Sequence, residues 1–356
     1  MKYTESWKAV KTVRRIVLWL VLVVAMIPSG SCAELALPPD QLYPAASQAI
    51  GPATTPDSNV EVIVNIAPTP TPAPTSEPTP TPQPTPTPRP TFVALPQPAN
   101  GCRTTGQLNR GTWPSKVFGH KQAYAIYLPP CYDDENNQTR YPVIYLFHGW
   151  PMDENHWIDL GAVAAADRLI NSGELPPFII VLPRGDTEGI YNRTSGGDNS
   201  WEGAMVNEFI PYIDANYRTL RQRDDRAIGG ISRGGVWALE IAFRHPDLFA
   251  SVGGHSAALS VNDAAPDFDP IDLANTAPID SLRIYIDSGN SDWTRDTSAQ
   301  MSRILDARHI PYTFNISPGD HLDSYWSTQV EAYLKFYAAP WKAEKVAQQL
   351  LASPTP

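Results

Sequence analysis

Cysteine is scarce, three in 356 residues, and no Cys-x-x-Cys pair or Cys/His cluster exists to suggest a zinc site. A basic excess is missing too. The formal net charge is −10, which leaves no basic stripe to follow a phosphate backbone and sets nucleic-acid binding aside. A comfortable membrane span is also lacking: the apolar run of residues 16–27 falls short of the roughly 20 that a bilayer requires.

What is present is a sharply divided chain. Residues 1–33 read as an export signal, with Lys8, Lys11, Arg14 and Arg15 ahead of an apolar stretch of the length of a signal h-region. The following "PSGSCA" puts Cys32 behind the small residues Gly30 and Ser31, as at the modified cysteine of a bacterial lipoprotein, although Ser29 departs from the usual leucine. Cleavage after Ala33, or an uncleaved anchor, stays open. Membrane contact is expected only through this N-terminal segment, with the chain exported and either anchored at the cell surface or secreted. Residues 34–98 have no composition for a core: from 67 to 98 they are nearly pure Pro and Thr, a polyproline II stalk that about thirty residues extend to on the order of 90 Å. Residues 60–66 make one strand-like run without an independent fold. Residues 99–341 form the folded domain and 342–356 a tail. Cys102 and Cys131 are the only cysteines of that domain, and an oxidising location predicts that they pair.

Hydrophobic residues make up 42% of the chain, enough for one sizeable core. Within the domain, short runs such as "AYAIYLP", "PVIYLFHG", "PFIIVLP", "RAIGGIS", "FASVGGH", "LRIYIDSG" and "YTFNIS" alternate with helical patterns such as "LGAVAAADRLINSG", "EGAMVNEFIPYIDANY", "GGVWALEIAFRH" and "TQVEAYLKFYA". Strands separated by helices predict an α/β fold, a mostly parallel sheet covered on both faces, with reactive residues on loops at the strands' carboxyl ends.

Gly230-Ile231-Ser232-Arg233-Gly234 lies between such a strand and such a helix, where a nucleophile elbow lies. A serine hydroxyl needs a base and an acid, in the chain order Ser, Asp, His. Asp292 follows "LRIYIDSG", and His321 follows "YTFNIS"; Asp292 is preferred to Asp287, which ends its strand and supports it there. His120, His156 and His309 fall in loops or at helix ends with no acid in a suitable loop, and His245 precedes Pro246 as a helix cap. His255 is a residue that can line the site. His148 is expected to be structural, with Gly149 turning the chain and the N–H of Trp150 joining that of Arg233 as oxyanion donors; Pro151 has no N–H.

Through these residues the chain resembles the putative esterase family of α/β-hydrolases, which includes feruloyl esterases, enterochelin esterases, S-formylglutathione hydrolase and the mycolyltransferases. The resemblance runs over about residues 105–338, through "YLPPCYD", "YPVIYLFHGW", "ENHW", "VLPRGD" and "DSGNSDW". It implies an α/β-hydrolase fold, a triad of Ser232, Asp292 and His321, and oxyanion positions at Trp150 and Arg233, with no metal or organic cofactor. Arg233 is a departure, since methionine is common there. The ester is less legible. The loop 184–201 carries Tyr191 and Trp201, which together with Trp150 and Trp326 are candidates to stack a sugar or phenolic ring, and a stalked exported domain favours an acylated polysaccharide. An acyltransferase, an inactive carbohydrate-binding module and a serine peptidase are the competing readings.

Overall fold

Continuous apolar runs that end in Gly or Pro become strands buried on both faces. The computed structural model describes residues 104–186 and 189–352, with side chains up to Lys342. All of these fall in the second of two units of the chain, Pro84–Pro356. Cys32, Cys102, the export signal, the Pro/Thr stalk and residues 353–356 lie outside the described residues.

One sheet holds eight strands: β1 (Gln107–Pro114), β2 (Lys121–Leu128), β3 (Val143–Phe147), β4 (Ile179–Pro183), β5 (Arg226–Ile231), β6 (Ser251–His255), β7 (Arg283–Gly289) and β8 (Tyr312–Ser317). Their order is β1-β2-β4-β3-β5-β6-β7-β8. Pairing is antiparallel from β1 to β2 and from β2 to β4, and parallel everywhere else.

The period of two along a strand sends alternate side chains to opposite layers. On β3, Val143, Tyr145 and Phe147 enter one core and Ile144 and Leu146 the other. The first core is closed by α2 (Ile210–Asn216), α3 (Arg233–Arg244), α4 (Pro270–Thr276) and α5 (Arg295–Ala307); the second by α1 (Ala162–Asn171) and α6 (Asp323–Ala352). Each fully buried Leu, Ile or Phe contributes roughly 1.5–3 kcal/mol, so both layers are needed to keep the central strands out of water.

Several elements differ from the sequence expectation. The helix expected over "EGAMVNEFIPYIDANY" runs as a π-helix over Ala204–Phe209 before α2, and short helices at His156–Asp159 and Ile190–Arg193 are additional. β1 and α4 are additional. The closing helix is longer: α6 begins at Asp323 and continues through Pro340, because Trp341 beyond it is buried, packing on Phe178 and donating its Nε1–H to Asp224 O at 2.9 Å. Among the described residues, no helix is long and apolar enough to cross a membrane.

One buried acid in α3 makes stability depend on pH. Glu240 is 1% exposed, with Oε1 unpartnered, and burial together with the nearby Glu202 carboxylate pushes its carboxyl up to about 8. Glu202 goes the other way, to about 2: burial opposes its charge, but hydrogen bonds from His245, Gly197 and Arg244 outweigh it. Because the folded chain holds the Glu240 proton more tightly than the unfolded one, its contribution is complete below about pH 4.5 and is lost as pH rises through about 8. Glu240→Gln is therefore expected to melt like the parent near pH 4 and several degrees higher above pH 8. Thermal melts across that range check this; parallel curves would contradict it.

Candidate active site

The site starts from a strained turn. Ser232 joins β5 to α3 at φ 56° and ψ −117°, a conformation that side chains rarely adopt. It is over-determined by backbone hydrogen bonds: Ser232 N–H donates to His255 O at 2.9 Å, and Ser232 O accepts from Gly235, Val236 and Ala258 at 3.0, 3.2 and 3.1 Å. The glycines are a steric requirement. A Cβ on Gly230 would lie 2.2 Å from Gly234 O, and one on Gly234 would lie 2.5 Å from His148 O, so neither position tolerates a side chain without moving backbone.

Two short loops, after β7 and after β8, converge on this turn. His321 Nε2 lies 2.9 Å from Ser232 Oγ, and its Nδ1 lies 3.0 and 3.1 Å from the two carboxylate oxygens of Asp292. The carboxylate can only accept, so the ring hydrogen sits on Nδ1 and Nε2 presents its lone pair to the serine hydroxyl. Asp292 is buried. Burial opposes its charge, but hydrogen bonds from His321, the Thr294 N–H and the Ser256 hydroxyl prevail and hold its carboxyl below the ordinary value. Asp287 serves elsewhere, against His255 and two tyrosines.

The turn after β3 lies over the serine: a Cβ on Gly149 would be 3.5 Å from Ser232 Cβ. Next in the chain is Trp150. Arg233 is the first residue of α3, where helical N–H groups lack intrahelical acceptors and the helix dipole adds partial positive charge. The guanidinium bonds Tyr191 O, Thr194 O and Asn262 Oδ1 and stacks over Trp237, so the Arg233 side chain fastens a neighbouring loop.

A pocket of about 370 Å³ opens here, with Ser232, His321, Trp150, Met152, Leu322 and Trp326 in its wall. Trp150 in this wall is about half exposed, and so is Trp293, whose ring lies 4.7 Å from that of His321. Among the described residues, no Lys or Arg lines the pocket. Among the described residues no group of His, Cys, Asp and Glu is placed to hold a metal ion.

Of the residues expected to contact substrate, Trp326 reaches the pocket and donates its Nε1–H to Ser256 Oγ at 3.0 Å. Three others are corrected. Tyr191 and Trp201 are fully buried, because their loop folds inward: Tyr191 packs on His148 and donates its hydroxyl to His148 O, and Trp201 packs edge-on against Tyr191 and Phe147. His255 is fully buried as well, stacked on Tyr333 at 3.6 Å with Nδ1 on Asp287 at 2.7 Å. His245 is the C-cap of α3, as expected, with its N–H on Ile241 O at 2.9 Å and its ring on Glu202 at 2.7 Å. His156 differs from expectation: read as having no acid in a suitable loop, it has Asp323 at 3.0 Å from Nε2. Cys131 is disulfide-bonded; Cys102, its expected partner, lies outside the described residues.

A mostly parallel sheet with a serine elbow after β5, and an acid and a histidine on loops after β7 and β8, defines an α/β-hydrolase. More narrowly, the chain belongs to the family described as putative esterase, whose model matches residues 115–337. It is similar to an endo-1,4-beta-xylanase/feruloyl esterase of Xylanibacter ruminicola, 35% identical over 153 residues, which are 42% of this chain and 21% of that protein. It is also similar to Esterase Rv1288 of Mycobacterium tuberculosis, 36% identical over 152 residues, which are 41% of this chain and 31% of the other. The chain thus spans a fifth to a third of the length of these relatives. Among solved structures, a ferulic acid esterase superposes with a TM-score of 0.60 at 27% identity, covering 66% of this chain and 99% of that one. An S-formylglutathione hydrolase of Staphylococcus aureus, at 19% identity and a TM-score of 0.56 over 65% and 99%, shares the fold.

Proposed function

We propose that this chain is a serine ester hydrolase that works through an acyl-enzyme on Ser232. The observation that carries the reading is the unbroken hydrogen-bonded series from Ser232 Oγ through His321 to Asp292, beside an open pocket. Ser232 Oγ attacks the ester carbonyl as its proton passes to His321 Nε2, and Asp292 stabilises the imidazolium. The oxyanion takes hydrogen bonds from the N–H groups of Trp150 and Arg233. Collapse breaks the acyl C–O bond, His321 returns the proton to the departing alcohol, and water repeats the cycle to free the acid and Ser232. This sequence needs no cofactor.

The substrate is an acylated polysaccharide of the cell exterior. Support comes from the half-exposed ring of Trp150 in the pocket wall and that of Trp293 beside His321, from a pocket that among the described residues has no Lys or Arg to hold an anionic ester, and from the relative named as a xylanase/feruloyl esterase. The export signal and the Pro/Thr stalk of the sequence fit a domain held away from a membrane, by Cys32 or by an uncleaved anchor, or released.

An activated serine is tested by a fluorophosphonate, which forms a P–O bond to Oγ with loss of fluoride. Intact mass should show one adduct, mapped to the peptide containing Ser232, alongside turnover of p-nitrophenyl acetate. Absence of both adduct and turnover over a broad panel of esters and acyl sugars would defeat the proposal. The same panel, run with and without sugar acceptors, separates hydrolysis from acyl transfer.

A further inference from the structure

The two peptide planes flanking Gly149 are fastened at His148 O, Gly149 O and Gly149 N–H. His148 O accepts from the Tyr191 hydroxyl. Gly149 O accepts from His148 Nδ1 at 2.9 Å and from Met152 N–H at 2.9 Å. Gly149 N–H donates to His156 Nδ1 at 3.2 Å. Because a peptide group is planar, the direction of Gly149 C=O sets that of Trp150 N–H on the opposite side.

His148 belongs to the turn itself and is held by Gly185 N–H, which donates to its Nε2 at 2.9 Å. Burial pushes its imidazole down to about 4, so it stays neutral with the hydrogen on Nδ1. His156 comes from outside the turn. Its side chain is buried and its Nε2 lies 3.0 Å from Asp323 Oδ1, at the start of α6 and 167 positions along the chain. Gly149 N–H can only donate and a carboxylate can only accept, so the two partners select one tautomer of His156, with Nδ1 as acceptor and Nε2–H as donor. The ring packs edge-on against Trp326 at 5.9 Å, which limits its rotation.

We infer that His156, oriented by Asp323, is a positioning residue that holds the Gly149-Trp150 turn over Ser232 so that the Trp150 N–H meets the developing oxyanion. This rests on the acyl-transfer reading of Ser232. Its contribution belongs to the transition state, where a donor displaced by about 1 Å costs on the order of 10²-fold, and not to substrate binding.

Two substitutions separate positioning from packing. His156→Leu keeps bulk and removes the acceptor; His156→Asn puts a carbonyl oxygen near the place of Nδ1. His156→Leu is expected to lower kcat toward p-nitrophenyl acetate about 10- to 100-fold, with KM within about threefold of the parent, and His156→Asn to recover most of that loss. Selective 15N-glycine labelling gives a readout independent of turnover: the Gly149 amide proton should move upfield in His156→Leu and stay near its parent shift in His156→Asn. An unchanged kcat and an unmoved Gly149 amide in His156→Leu would overturn the inference, and so would equal losses in both variants accompanied by lowered Tm, or a loss confined to KM. If the parent enzyme turns over no ester, the acyl-transfer reading fails, and the amide shift still decides whether His156 holds the turn.

Discussion

Ser232→Ala should cut kcat/KM toward p-nitrophenyl acetate by at least about 10⁴-fold while Tm moves by no more than a few degrees. Alanine fits the φ of 56° as well as serine does, and the backbone bonds that fix the turn do not involve the hydroxyl. Asp292→Asn should approach the same loss in kcat for a different reason. An amide NH₂ facing His321 Nδ1 displaces the ring hydrogen to Nε2, which then points a donor at Ser232 Oγ where a lone pair is needed. Because the three groups act as one unit, the double variant Ser232→Ala/Asp292→Asn should be no slower than Ser232→Ala alone. Initial rates with matched circular dichroism check all three. Activity within tenfold of the parent in either single variant would remove that residue from the reaction.

How much of this was readable in advance follows from where the constraints are local. The central strands were legible because "PVIYLFHG" and "PFIIVLP" are continuous apolar runs, the pattern that burial on both faces demands. β1 was not: it is an antiparallel edge in which only Trp113 is fully buried, so "QLNRGTWP" shows no alternation to detect. The elbow was legible because both glycines fall within two residues of the serine and the crowding at Gly230 comes from Gly234 itself, whereas the crowding at Gly234 comes from the distant turn at His148. Asp292 and His321 could be ranked by position, since loops after neighbouring parallel strands open on one edge of the sheet.

Loop direction was not legible. Tyr191 and Trp201 sit in a polar, glycine-rich stretch whose composition is the same whether its aromatic rings face water or fold beneath His148. His156 and Asp323 meet across 167 residues, with no local signal linking them. His255 left a fainter trace. Tyr333 and Tyr337 are one helical turn apart on α6 and form a polar pair in an apolar pattern, and a buried hydroxyl needs a partner. That partner is the cluster around Asp287.

Substitution of Asp287 is expected to cost the domain much of its stability. The Asp287 carboxylate is fully buried and accepts from His255 Nδ1 at 2.7 Å, Tyr325 at 2.8 Å and Tyr333 at 2.6 Å, while Tyr337 and His255 Nε2 lie 2.8 Å apart. Burial and the Asp287 charge both push Tyr333 and Tyr325 far above the ordinary tyrosine value, so the hydroxyls remain donors at any working pH. Asp287→Ala strands three donors in a dry core, each at about 1–3 kcal/mol, a total on the order of 5 kcal/mol and comparable with the whole stability of many domains. The variant should fail to fold or melt far below the parent. Asp287→Asn keeps the volume and one acceptor, and is expected to fold with a clearly lowered urea midpoint; adding Tyr333→Phe removes one stranded hydroxyl and should recover part of that loss. Below its melting temperature Asp287→Asn should keep kcat within about tenfold of the parent, because Asp292 still orients His321. The two aspartates therefore have crossed signatures: Asn at 292 removes rate and spares stability, whereas Asn at 287 removes stability and spares rate. If the effects were exchanged, the acid that serves His321 would be Asp287, and the buried tyrosine cluster would belong to the reaction and not to the core.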